Sequence, residues 1–277
     1  MQTLKYLKRD LRLGLLNRSY LLVIAFIFSF VMVRQCSSAI NLLKSFNYMW
    51  SNGTVMDYYL FSVKGMNYYR FDPKSSFELP LLWFIFQMGM SYFIAYYAEK
   101  DYSDNGVNVF VSGRSRSSWW FSKMIWCLLS VVTYYFVSFI TCVLFSYFNG
   151  ADLTMAVSYD FLKAYFGYNM TYVSYTDLLL ISIVVPIAVS IAICLVQLLL
   201  SFIISPVTSF AITCGVYVLS AYYTAWFLPG SFTMWLRSSY YDEKGLNPLS
   251  GVLLSVFLVT VICIIGKKYF EKKDVLL

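Results

Sequence analysis

From Leu178 to Leu236 the chain carries no charged residue. As one straight helix this stretch would run about 90 Å, roughly three times the hydrocarbon thickness of a bilayer. It therefore has to fold back on itself. The reversal is expected at Ser205-Pro206, because proline ends or kinks a helix and restrains the residue before it. Spans at 178–204 and 207–228 follow, with Pro186 expected to kink the first of them.

The remaining sequence repeats the theme. Of 277 residues 60% are hydrophobic and 13% charged, whereas an ordinary soluble domain has about 25% charged residues. Predominantly apolar stretches at 19–38, 79–98, 122–148 and 249–266 bring the number of spans to six. Arg34 lies near the far end of the first, where a long side chain reaches the interface. Ahead of it Leu4, Leu7, Leu11 and Leu15 recur at helical spacing, and Lys5, Lys8, Arg9 and Arg12 gather on a neighbouring face. Residues 1–18 thus read as an amphipathic interfacial helix, without the order of regions that marks a signal peptide. The expected fold is all-α: a polytopic membrane protein, one transmembrane domain over 1–277.

An even number of spans puts both termini on one side. The N-terminal helix, the 99–121 connector with Lys123, and the C-terminal tail hold Lys5, Lys8, Arg9, Arg12, Arg18, Lys100, Arg114, Arg116, Lys123, Lys267, Lys268, Lys272 and Lys273. The much longer loops 39–78, 149–177 and 229–248, with the far end of span one, hold only Arg34, Lys44, Lys64, Arg70, Lys74, Lys163, Arg237 and Lys244. The excess places the termini in the cytoplasm and those three loops outside the cell. Topology and anionic lipid account for the net charge of +7, and no nucleic-acid partner is needed.

Several chemistries are excluded or disfavoured. The chain has no histidine, which removes the commonest general base and metal ligand. Cys36, Cys127, Cys142, Cys194, Cys214 and Cys263 show no CxxC spacing and read as small buried hydrophobes. No phosphate-cradling GxxxxGK[ST] is present, and Gly266-Lys267 lacks the upstream glycine. Span interiors hold none of the carboxylates of a proton relay; Glu78 and Asp177 read as solvated charges at outer helix starts. Asn52-Gly53-Thr54 and Asn169-Met170-Thr171 match the glycosylation pattern, which is short and unspecific. Tyr58, Tyr59, Tyr68, Tyr69, Tyr159, Tyr165, Tyr168, Tyr172 and Tyr175 crowd the outer loops, either to pack or to meet a peptide or lipid. The 99–121 connector is the most informative segment: Glu99-Lys100-Asp101, then Asn105-Gly106, the apolar Val107 to Val111, and SGRSRSSWWFSK. Its apolar turn is able to present a short helix to a soluble partner, with Trp119 and Trp120 anchoring the exit at the interface.

With these features the sequence resembles the membrane subunit of a type-2 ABC transporter of the bacterial exporter kind. The resemblance rests on the basic helix before span one, six spans with both ends inside, the connector with Glu99, Gly106, Arg114, Arg116 and Lys123, and the terminal FEKKDV from Phe270 to Val275. It implies a pair of permease subunits, identical or related, working with cytoplasmic P-loop ATPase subunits that hold ATP and magnesium; the chain itself would bind no cofactor and catalyse nothing. Glu99, Asp101, Gly106, Arg114, Arg116 and Lys123 would then form the ATPase-coupling element, together with the N-terminal helix. It also implies short re-entrant helices between spans five and six, which Pro229 to Pro248 could supply with Asp242, Glu243 and Lys244 facing water. The expected cargo is an amphipathic or hydrophobic peptide, bacteriocin, drug or lipid leaving the cell. The competing expectation is a non-transporting immunity or scaffold protein that binds its ligand through the Tyr-rich outer loops.

Overall fold

The computed structural model describes residues 2–17, 19, 22–69, 76–112, 116–167 and 174–272; for 2, 98–99, 102–112 and 175 it describes the backbone alone. The architecture is all-helical, and among the described residues the only extended pairings are two isolated bridges, Thr54 with Asp152 and Ser238 with Leu246. Helix α1 (Gln2–Asp10) runs on into a π-helical stretch, Leu11–Leu16. Then come α2 (Leu22–Ser45), α3 (Val55–Ser62), α4 (Leu81–Ser112), α5 (Arg116–Phe148), α6 (Tyr159–Phe166), α7 (Tyr175–Leu179), α8 (Val185–Ile203), α9 (Pro206–Tyr222) and α10 (Pro248–Lys272).

Four helices are long and apolar enough to cross a bilayer: Leu22–Ser45, Arg116–Phe148, Thr176–Ile203 and Pro248–Lys272. They mark a membrane protein. Leu81–Tyr97 and Pro206–Tyr222 are apolar but shorter. The α7–α8 rod is the hub: 56% of its most apolar window is buried, against 22% for α10, and α8 packs on α4, α5, α9 and α10. Helix α5 shows how a span divides its faces. Cys127, Val131, Tyr134, Tyr135, Ser138 and Cys142 are buried, while Leu128, Val132, Phe136, Ile140 and Leu144 repeat every four residues as an exposed apolar stripe. In a bilayer such a stripe meets acyl chains at no cost.

With no water to satisfy them, polar groups inside must find one another. Gln87 of α4 donates to the Tyr135 hydroxyl at 3.2 Å and accepts from Tyr217 at 3.2 Å and Ser190 at 3.3 Å. One amide thereby ties α4, α5, α8 and α9 together. Ahead of Pro186 the backbone takes π geometry over Leu180–Val184. A proline without an N–H leaves the carbonyl four residues earlier without its helical donor, and a widened turn accommodates that defect. Between α8 and α9, Ser205 caps the Thr208 N–H at 3.1 Å with Pro206 in the first turn.

Helix α2 continues to Ser45, past the expected end of the first span at 38. Two expectations need correction. The connector 99–121 is largely helix: α4 extends to Ser112 and α5 starts at Arg116, since the sequence between them offers no proline and few glycines to break a continued helix. At 32 residues α4 is about 48 Å long, so its second half projects beyond the apolar stretch. Trp119 and Trp120 are not interfacial anchors but are buried, packed against Phe270 of α10.

Outside the spans, α3 and α6 form a small cap. Asp57 closes a capping box with Thr54, accepting its N–H at 2.9 Å, and also accepts the N–H of Ser158, the N-cap residue of α6, at 2.9 Å. Burial pushes this carboxyl up to about 7 against those hydrogen bonds, which pull the other way. Its folded value thus lies above its unfolded one, so the unfolded cap holds fewer protons between about pH 4 and pH 7. Cap stability is expected to fall as pH rises through that window and to level off above it. Amide exchange of α3 and α6 at pH 5.5 and pH 8, corrected for intrinsic rates, checks this, and Asp57→Asn is expected to abolish the difference.

Candidate functional site

One end of the bundle holds a cluster of charges that the bilayer alone would not tolerate. Lys123, near the start of α5, is fully buried, and its ammonium lies 2.7 Å from Asp10 Oδ1 and 2.6 Å from Asp101 Oδ2. Asp10 ends α1 and Asp101 lies on the projecting half of α4, so one lysine joins three helices. Arg9 adds a second cation, 2.8 Å from Asp101 Oδ2 and 3.7 Å from Asp10 Oδ1. Two cations and two carboxylates balance in charge. Ser122 donates to Asp10 Oδ2 at 2.8 Å and the Tyr97 hydroxyl to Asp10 Oδ1 at 3.3 Å. The lysine head also sits 5.0 Å from the Tyr97 ring centre and 5.4 Å from that of Trp119, close enough for cation–π attraction.

The helix can approach because of Gly14. A Cβ there would lie 2.6 Å from Trp126 Nε1 and 2.6 Å from Tyr97 Cζ, inside any tolerable contact. Tyr6, Leu7, Leu11 and Leu15 pack against the core, while Leu4, Lys5, Lys8 and Arg12 stay exposed. The four basic residues of the amphipathic helix therefore do not share one surface role: Arg9 is drawn inward by Asp101.

A second lock holds the end of α10 against α5. Phe270 is fully buried, stacked on Trp120 at 5.3 Å and edge-on to Trp119 at 5.1 Å and to Phe202 at 5.3 Å. Gly266 makes room, since a Cβ there would collide with the Trp120 indole. This packing withdraws both tryptophans from the interface. Arg116 donates from Nη1 to the Glu271 carbonyl at 3.5 Å, and Lys267, Lys268 and Lys272 are exposed.

Of the residues assigned to coupling, Asp101 and Lys123 meet in the ion cluster, and Arg116 reaches instead to the end of α10. Glu99 and Gly106 lie on the α4 helix, but the Glu99 side chain, like all of Arg114 and Lys273 to Val275, falls outside the described residues. Sequence reasoning overlooked Asp10, whose signal was a lone acid inside the basic run KRDLR. It also missed Arg237. Two short 3₁₀ turns, Pro229–Thr233 and Trp235–Arg237, tuck beneath α9, and Arg237 is buried with no carboxylate in ion-pair reach among the described residues. Its guanidinium donates instead to the carbonyls of Ser220, Ala221 and Tyr223 at the end of α9, and to that of Met66 at 3.3 Å. These are the carbonyls a helix C-terminus leaves unpaired, at the negative end of its dipole. Burial lowers Arg237 to about 10, so it remains charged at neutral pH. Glu243 and Lys244 in the following turn are exposed.

Removing Lys123 while leaving its partners should be far worse than removing the whole cluster. Lys123→Met is expected to cost about 3–5 kcal/mol, read as a lowered unfolding midpoint of the purified protein in detergent. The triple variant Lys123→Met, Asp10→Asn, Asp101→Asn is expected to recover most of that loss, because partly exposed Arg9 retains water.

No family model, curated protein or solved structure matches the chain.

Proposed function

We propose that the chain is the permease subunit of an ATP-driven exporter of the type-2 ABC class. The observation that carries this reading is the convergence at one end of the bundle of three segments far apart in sequence: the basic helix α1, the facing ends of α4 and α5, and the end of α10. Each is fastened to α5, by the ion cluster or by Phe270. The result is a platform with Lys5, Lys8, Arg12, Lys267, Lys268 and Lys272 on its exposed surface. Such a platform suits docking of a soluble subunit better than a solvated connector would.

In this reading the two shorter apolar helices complete six spans, both termini are cytoplasmic, and α1 lies at the membrane interface of the cell membrane. A cytoplasmic P-loop ATPase supplies ATP and magnesium, and a second permease, identical or related, completes the path. ATP binding in the partner pushes on the projecting half of α4. Because Lys123 clamps Asp101 and Asp10 together, α1, α4 and α5 respond as one body, and tilting them opens a route between the paired permeases. The walls offered to cargo are aromatic and aliphatic, with uncharged polar groups such as Gln87, which favours amphipathic or hydrophobic molecules. Of the outer-loop tyrosines, Tyr58 and Tyr59 are buried within the cap and so withdrawn from any ligand, while Tyr68, Tyr159 and Tyr165 are exposed, which leaves the scaffold reading a smaller surface.

Charge reversal of the arginine pair, Arg114→Glu with Arg116→Glu, is expected to leave the protein in the membrane while ATP hydrolysis no longer drives export. Transport and ATPase assays of the reconstituted complex check this, and export at the wild-type rate would remove the pair from the coupling path.

A further inference from the structure

A second polar feature lies on the α2 face, remote in sequence from the ion cluster and unused by the coupling reading. Between α2, α3, the turn after α3 and α6 there is an open cleft of about 410 Å³, within the range of about 300–1,000 Å³ usual for small-molecule sites. Arg34 and Lys64 line it together with Gln35, Phe30, Phe61 and Tyr165. Among the described residues the lining therefore holds two cations and no carboxylate. Lys64 donates to the Tyr165 hydroxyl at 3.2 Å and sits 3.7 Å from the Phe61 ring centre, and burial draws its ammonium below the usual lysine range. Neither Arg34 nor Lys64 forms an ion pair with any described residue.

The cleft is the polar end of a longer track. Val23, Phe26, Ile27 and Phe30 are exposed on α2 and follow one another at three- and four-residue steps, so they share a face. The same step leads from Phe30 to Arg34 and then to Ser38, both exposed. Phe26 and Phe30 flank Phe145 of α5 at 5.9 and 4.8 Å, which gives the track an aromatic wall. Because α2 is one of the apolar helices long enough to cross a bilayer, that face meets acyl chains up to the level of Phe30 and two unneutralised cations just beyond. A soluble anion would use only the cations; a molecule with a phosphate at one end and hydrocarbon at the other uses both.

We propose that this cleft is a binding site for a single anionic phospholipid, its phosphate held between Arg34 and Lys64 and an acyl chain laid along the Val23–Phe30 face. The site rests on α2 lying in the bilayer and not on the exporter reading, so either can fail without the other.

The test is native mass spectrometry of the full-length protein in detergent with equal amounts of phosphatidylglycerol and phosphatidylcholine. One phosphatidylglycerol per chain is expected to survive activation that strips phosphatidylcholine, with at least about a tenfold preference. Arg34→Gln with Lys64→Gln should lose the preference; Arg34→Lys with Lys64→Arg should keep it, as should Lys267→Gln with Lys268→Gln. Should the double glutamine variant fail to fold, Arg34→Gln alone serves, since that side chain is exposed and supports no packing; it is expected to weaken retention several-fold. Equal retention of both lipids, or undiminished phosphatidylglycerol in the glutamine variants, would overturn the proposal. So would displacement of the lipid by excess free glycerol phosphate, which would make the cleft a soluble-anion site.

Discussion

A lysine ammonium with no access to water, clamped between carboxylates from two other helices, sets the geometry of one end of this protein. Taking such charges out of water is expensive, and their mutual attraction repays the cost only when geometry and extra hydrogen bonds are good. Here Ser122 and Tyr97 supply donors to Asp10, and Arg9 balances the second carboxylate. The cluster contributes less to net stability than to specifying which helices meet. An apolar contact would hold α1 against α5 in several registers; Lys123 with Asp10 holds it in one. Everything proposed for the platform follows from that fixed register, because a soluble partner pushing on any one of the three helices meets all of them.

The same logic recurs wherever polar groups enter the bundle. Gln87 satisfies itself with three hydroxyls from three helices, and Arg237 with the spare carbonyls of α9. Arg237 is the more informative of the two. Helix α9, at 17 residues, is about 25 Å long, short of the hydrocarbon thickness. In the six-span reading its end falls where water is scarce, and the returning 3₁₀ turns bring a guanidinium to the carbonyls that water would otherwise solvate. The proposed lipid cleft is the converse arrangement, in which neither Arg34 nor Lys64 meets a carboxylate among the described residues.

Much of the helical framework was legible in the sequence, because a bilayer permits few alternatives to helices and a long charge-free run can only fold back. Ser205-Pro206 separates α8 from α9 for the reason its chemistry suggests. The cysteines at 36, 127, 142 and 194 are buried, as apolar surroundings dictate. Hydropathy failed where a helix outlasts its apolar stretch: α4 runs through the charged residues after Tyr97, since charge does not stop a helix that has no breaker. It failed again at Trp119 and Trp120, whose composition suits an interface but whose neighbours, Gly266 and Phe270, lie far along the chain. Asp10 and Arg237 were hidden for the same reason. A charge in a terminal helix or loop reads as solvated until its partner is known, and those partners are set by tertiary packing.

Docking of an ATPase on the α1, α4–α5 and α10 platform is tested most directly by purifying the protein from its native membrane in mild detergent and identifying by mass spectrometry the chains that come with it. A stoichiometric soluble chain containing a P-loop is expected. Recovery of the protein alone, or only with chains that bind no nucleotide, under conditions that preserve known membrane complexes, would contradict that docking.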